Sequence, residues 1–422
     1  MRERGKKKML KRLGAFLISA AICLNLAACN RSMQGTESEA YNRETDFPLM
    51  YEAGIDGIQI AETENGYYFL NGYFLFYADK DTMKPVPVCN KPNCKHHEET
   101  DPFQVWSCDA FLGDGCVLPY IQYYEGAIYT IQGFDPVTHS EDKYLVRISA
   151  DGSERKQLIK VSENNLVAIH RGYVYIAKNG GKAKISRIPL NNIEAEPEII
   201  FESRLDDSNF YMHLKGNYLL AHTFGVNHQD ESYHDQIFSC NLLTKQTVQL
   251  LEEEEEKGLE PFLFKSNDAR LLYYKSHAES DSKEKITDQN ILYTADMNGE
   301  NEELFQDFQD HTDQFLTHLT YDGTFYYEEW VNYLLDDEVQ KNRELRMYDK
   351  DFNILYGEKI HWLPKHYWIT YTTGPYLFFS YAEKETGESV VEAVDKRQLS
   401  QGKLERIRIF DQEFYPAMAW DN

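Results

Sequence analysis

Cysteine is scarce in this sequence. There are seven in 422 residues, and four of them crowd between Cys89 and Cys116. Basic side chains are outnumbered, 44 Lys and Arg against 69 Asp and Glu, and the formal charge is −25. Such a field repels nucleic acid and anionic lipid, which excludes binding either through electrostatics; its plainest use is solubility, and it also favours cationic partners. Beyond residue 28 no apolar run reaches the length needed to span a bilayer. Long helical periodicity is missing as well. So are the catalytic signatures: no Gly-x-Ser-x-Gly elbow, no phosphate loop, no dinucleotide fingerprint and no His-Glu-x-x-His helix.

What the N-terminus has is a graded export signal. Arg2, Arg4, Lys6, Lys7, Lys8, Lys11 and Arg12 form a basic region ahead of the apolar run LGAFLISAAICLNLAA. That run is too short and too early for a folded helix. It ends in Leu26-Ala27-Ala28-Cys29, which resembles a bacterial lipobox. The resemblance implies diacylation of Cys29, which becomes the new N-terminus, and two acyl chains anchor firmly where one does not. Residues 1–28 carry seven basic side chains and one acidic, a surplus of six, so the remainder carries −31. The polar stretch 29–48 reads as a flexible tether, and 49–422 as the folded domain. The expected location is the outer face of the cytoplasmic membrane of a Gram-positive bacterium, with the membrane touched through the lipid anchor only.

The folded part is rich in aromatics, with 30 Tyr and 23 Phe, in short β-type runs separated by turn residues. The runs recur as a unit: ENGYYFL, YEGAIYTI, HRGYVYIA, LKGNYLLAHTF, NDARLLYYKSH, YDGTFYYEEW and TGPYLFFSYAE each open one. Anchored on Gly66, Gly126, Gly172, Gly216, Ala269, Gly323 and Gly374, the units are spaced by 60, 46, 44, 53, 54 and 51 residues. Seven repeats of that size predict an all-β fold, a β-propeller of seven four-stranded blades. ISADGSERKQLI and YTADMNGENEELF each place an Asp- or Asn-Gly turn between alternating strands, a strong hairpin signal. DGIQIAETE supplies an extra strand, either the innermost of the first blade or the outermost of the last. The C-terminal EFYPAMAW is a candidate to return to the first blade. A serine peptidase gated by such a ring needs a hydrolase domain besides, and the repeats leave no residues for it.

The longest spacing, the first, contains the stretch 88–116, an insert between blades 1 and 2. Cys89 is followed by four residues and Cys94, one residue and His96, eleven residues and Cys108; Cys116 follows after seven more. Three thiolates and an imidazole would complete the closed tetrahedral shell of one structural zinc. Outside the cytoplasm, disulfides among Cys89, Cys94, Cys108 and Cys116 are the competing reading, as are unligated thiols. Bridges alone leave His96 without a role. His97 is expected to be a solvated loop residue, and Cys240, in the apolar run IFSCNLL, a buried small hydrophobe.

Behind its lipobox, the run CNKPNCKH…SCDAF resembles a group of uncharacterised lipoproteins of Gram-positive gut bacteria. Their common pattern is Cys, four residues, Cys-Lys-His, an acidic stretch and Cys-Asn-Ala. Cys89, Cys94, Lys95, His96 and Cys108 match, while Asp109 replaces the Asn and DPFQVW lengthens the acidic stretch. The repeats resemble propeller-like domains likened to those of low-density-lipoprotein receptors. The resemblance covers most of the chain after residue 28 and implies no activity.

Other clusters read as ordinary surface. His222, His228 and His234 near Asp230 and Asp235 offer a second metal site, against a plain polar loop. Glu252–Glu256 read as a solvated hairpin end, and Trp330, Trp362 and Trp368 as fillers of blade interfaces. No catalytic residue is assigned. The expectation is a monomeric, non-enzymatic surface propeller that binds an extracellular ligand or an envelope protein, with no nucleic acid. The rival is a polysaccharide lyase or glycoside hydrolase centred in the channel.

Overall fold

A computed structural model describes residues 41–48 and 59–415, apart from 114–118, 136–139, 141, 164, 230–231, 253–258, 265–269, 278–290, 308–313, 333–343, 361–362, 364–366 and 384–385. A first unit, Met1–Glu37, which holds the stretch read as an export signal and Cys29, lies outside the described residues; the fold belongs to the second unit, Ser38–Asn422. No helix among the described residues is long and apolar enough to cross a membrane.

The second unit is an all-β propeller of seven sheets, each of four strands consecutive in sequence. Every pairing is antiparallel, as in the first blade, where Ile60–Glu62, Gly66–Asn71, Phe74–Asp79 and Pro85–Pro87 pair in order. The first strands of blades 1, 2 and 3 touch one another, which places them innermost. Every described anchor of the repeat sits at the turn from the innermost strand or opens the second strand. The hairpins also form where expected: Gly152 and Gly299 take φ of +78° and +82°, conformations that cost glycine little.

Burial follows position in the blade. Second strands have neighbouring blades on both faces, and Gly66–Asn71 is buried almost throughout. Outermost strands turn one side to water, and Val86 and Ile199 are each 54% exposed there. Polar latches join neighbouring blades. Gln122 of blade 2 donates to the Ile169 carbonyl at 2.7 Å and accepts from its amide at 2.9 Å. The buried Lys396 of blade 7 donates to Asp322 of blade 6.

Ring closure uses no exchanged strand among the described residues. Ile60–Glu62 is the innermost strand of the first blade, not the outermost of the last. Phe378 of blade 7 packs edge-on against Tyr67 and Phe69, and Phe410 against Phe69 and Phe76. Burying each such ring is worth about 1.5–3 kcal/mol. The C-terminal segment then returns to blade 1 as a strap: Tyr73 N donates to the Phe414 carbonyl at 3.0 Å, and Phe414 N to Asn71 Oδ1 at 3.2 Å. A Cβ on Gly72 would lie 2.2 Å from the Phe414 carbonyl oxygen, so only glycine admits the strap here. Residues 416–422, the remainder of the expected return, lie outside the described residues.

The N-terminal segment is also pinned. Residues 41–48 fall in the stretch read as tether, yet Asp46 and Phe47 are buried. Asp46 takes Arg171 of blade 3 in a two-pronged ion pair at 2.6 and 3.0 Å. Phe47 N donates to His170 Nδ1 at 2.9 Å, and His170 Nε2 donates to the Gly216 carbonyl at 2.7 Å. The folded unit therefore includes these residues.

Candidate metal centre

The insert leaves blade 1 at Pro87 and reaches blade 2 at Ile121. Its first turn carries Cys89 and Cys94 and is made by Pro92 and Asn93, the latter in the left-handed region at φ 63°. His96, at φ 54°, opens a short 3-10 turn, His96–Glu98. A non-glycine residue held there costs on the order of 1–3 kcal/mol, which a bond to the side chain would repay. A six-residue helix, Pro102–Ser107, follows, capped by Asp101, whose side chain accepts from Phe103 N at 3.0 Å. This helix is the DPFQVW extension of the acidic stretch. Its buried Val105 joins the hydrophobic cluster of blades 1 and 7, the Trp106 ring packs on Phe134 of blade 2, and the helix ends at Cys108.

These turns bring the ligand atoms of Cys89, Cys94, His96 and Cys108 within 4.8 Å of one another. The Cys108 Sγ to His96 Nδ1 separation is 3.5 Å. Zinc–sulfur and zinc–nitrogen bonds at a tetrahedral angle put such atoms about 3.6 Å apart. Three sulfurs and one imidazole nitrogen therefore fit a closed zinc shell in number, type and spacing. All three cysteines are free thiols here, and Cys116, the alternative disulfide partner, lies outside the described residues. Burial pushes the Cys94 and Cys108 thiols up and the His96 imidazole down. All three shifts favour neutral groups, the state expected of a buried donor set before a cation enters.

Three thiolates around a divalent ion would leave one negative charge, and two cations stand beside the donor set. Arg155, from the outer strand of blade 2, donates through Nη1 to the Phe111 carbonyl at 2.9 Å and through Nη2 to the Asp109 carbonyl. Lys91 pairs with the Asp109 carboxylate at 3.0 Å and donates to the Ser107 carbonyl. Asp109 Oδ2 accepts from Asn90 N at 3.3 Å and lies 3.9 Å from Cys89 Sγ. Arg155 was not legible as a site residue, because it lies in a distant hairpin and nothing local marks it.

His97 is a correction. Read as solvated, it is half-buried, its ring 4.4 Å from Phe414 of the strap and 6.2 Å from Phe74. The 3-10 turn explains this: with His96 aimed at the sulfurs, the next side chain turns inward. Cys240 is buried as expected, with Thr247 donating to its sulfur at 3.3 Å.

The histidines of blade 4 do not assemble. His222 pairs with Asp235 at 2.5 Å, His228 with Asp207 at 2.9 Å, and His234 with Ser232 at 2.6 Å. The register sets His222 opposite Ile237, so His234, three residues away, is on the other face of the sheet. Asp230, Glu253–Glu256, Trp362 and the Trp330 side chain lie outside the described residues. Trp368 is 56% exposed and fills no blade interface.

No protein-family model matches the chain, and no curated protein matches it in sequence. Solved structures do resemble it. A prolyl endopeptidase aligns with TM-score 0.54 and 10% identity over 88% of this chain and 51% of its own. The tricorn protease aligns at 0.51 and 9% over 89% and 35%, and prolyl oligopeptidase B from Galerina marginata at 0.50 and 9% over 86% and 51%. The chain thus spans about a third to a half of the length of these three proteins. At this identity the similarity establishes a shared propeller fold and nothing of their chemistry.

Proposed function

We propose that this chain is an exported, lipid-anchored propeller that acts as a binding scaffold, and that one structural zinc on Cys89, Cys94, His96 and Cys108 locks its ring closure. The observation that carries the metal reading is the donor set, four ligand atoms within 4.8 Å of one another. Four protein ligands leave zinc no open position for a substrate, so its part is to fix the loop. The ion would orient His96, and His96 in turn sets His97 against Phe414, the residue that straps the last blade to the first. Export and anchoring are supported by the basic region, apolar run and Cys29 of the sequence.

Elemental analysis of the full chain purified without chelators, with thiol counting after denaturation, tests the centre. One zinc per chain with reactive thiols is expected. Absence of metal with blocked thiols would sink the proposal. Mass spectrometry of the N-terminal peptide tests the anchor, an unmodified Cys29 being the contrary result.

A further inference from the structure

A cleft of about 190 Å³ opens where blades 1, 2 and 7 meet, and Leu112 and Gly113 at the end of the metal loop form one wall. The strap forms another, through Glu413 and Tyr415. It is smaller than the ~300–1,000 Å³ of a drug-sized pocket and suits a single long side chain. Among the described residues that line it, Glu413 is the only charged one. Tyr415 donates a hydrogen bond to the Glu413 carboxylate, is half-exposed, and stands edge-on to Tyr73 with ring centroids 5.1 Å apart.

A carboxylate flanked by two tyrosine rings attracts a cation by charge and by the ring faces together. Apolar side chains along the floor suit the methylene stem of a lysine or arginine. The charge of −25 draws cations inward, whereas a phosphate or acidic sugar would meet Glu413 unopposed. We infer that this cleft binds a basic side chain, lysine or arginine, of a peptide partner. The inference rests on the scaffold reading and shares the strap and the end of the metal loop with the proposed centre; the titration reads this site and zinc content reads the centre, so failure of one is distinguished from failure of the other.

The test is methyl NMR of the full-length chain titrated with Nα-acetyl-arginine amide and Nα-acetyl-lysine amide, with Nα-acetyl-norleucine amide and cellobiose as neutral probes. The basic compounds are expected to shift the methyl signals of Leu70, Leu112, Ile131 and Val391, which line the cleft. Glu413→Gln should weaken that binding by about tenfold, and Tyr415→Leu by about threefold. Both residues are exposed, so neither change endangers folding. Equal shifts from either neutral probe, shifts scattered over the surface, or undiminished binding by the Glu413→Gln variant would each overturn the inference.

Discussion

The two ends of the folded unit are fastened in opposite ways. At the N-terminal end, Asp46 is held by Arg171 and the Phe47 amide by His170, a buried polar clamp beside the Phe47 ring, which is set in the hydrophobic core. At the C-terminal end, Phe414 is held by two backbone-directed hydrogen bonds and by the rings of His97, Phe76 and Phe410. The first depends on charge and protonation. The second depends on aromatic packing behind a loop whose shape, on the proposed reading, a metal fixes. Perturbations that loosen one end should therefore leave the other in place.

The largest effect is expected from Arg171→Met. It strands the Asp46 carboxylate in a site where its side chain is fully buried, and breaking such a pair costs about 3–5 kcal/mol. Urea unfolding measures this, and adding Asp46→Leu should recover most of the loss. Full loss in the double variant would mean that the charge is not the cause.

Acid should act on the same end. Burial lowers the His170 pKa to about 4; Asp46 opposes the shift, Arg171 and Arg187 reinforce it, and the Tyr175 ring lies alongside. Its folded-state pKa is below the unfolded value of about 6.5, so the unfolded chain takes up the proton first. Stability is then whole above that value, falls as pH drops from about 6.5 to 4, and levels off below, by about 3 kcal/mol from this group. His170→Gln keeps an acceptor for Phe47 N and a donor for Gly216 and should flatten that part of the pH profile. An unchanged slope would remove His170 as its source.

Smaller effects belong to the strap. Phe414→Ala removes a half-buried ring and should cost about 1–2 kcal/mol. His97→Ala keeps all four metal ligands and should cost about 0.5–1.5 kcal/mol while zinc content stays constant. A loss of zinc in this variant would make His97 part of the site itself.

How much of this was legible depends on whether the signal is local. The glycine anchors and Asp-Gly turns act within a few residues, so the seven blades and their strands could be read directly. Cys89, Cys94, His96 and Cys108 lie within twenty residues of one another, and their spacing sufficed to pick them out as the candidate donor set that the fold gathers. Arg155 beneath the insert, and Asp46 opposite Arg171 at a separation of 125 residues, carry no local mark. His97 misled because two adjacent histidines look alike until a turn points one at sulfur and the other at Phe414.

The most direct test of the central claim is amide hydrogen exchange with and without a chelator, with zinc measured on the same sample. Zinc removal is expected to speed exchange at Tyr73 and Phe414, whose amides fasten the strap, and to leave Phe47 and Arg171 in the N-terminal clamp protected as before. Unchanged exchange at Tyr73 and Phe414 after the metal has left would contradict it.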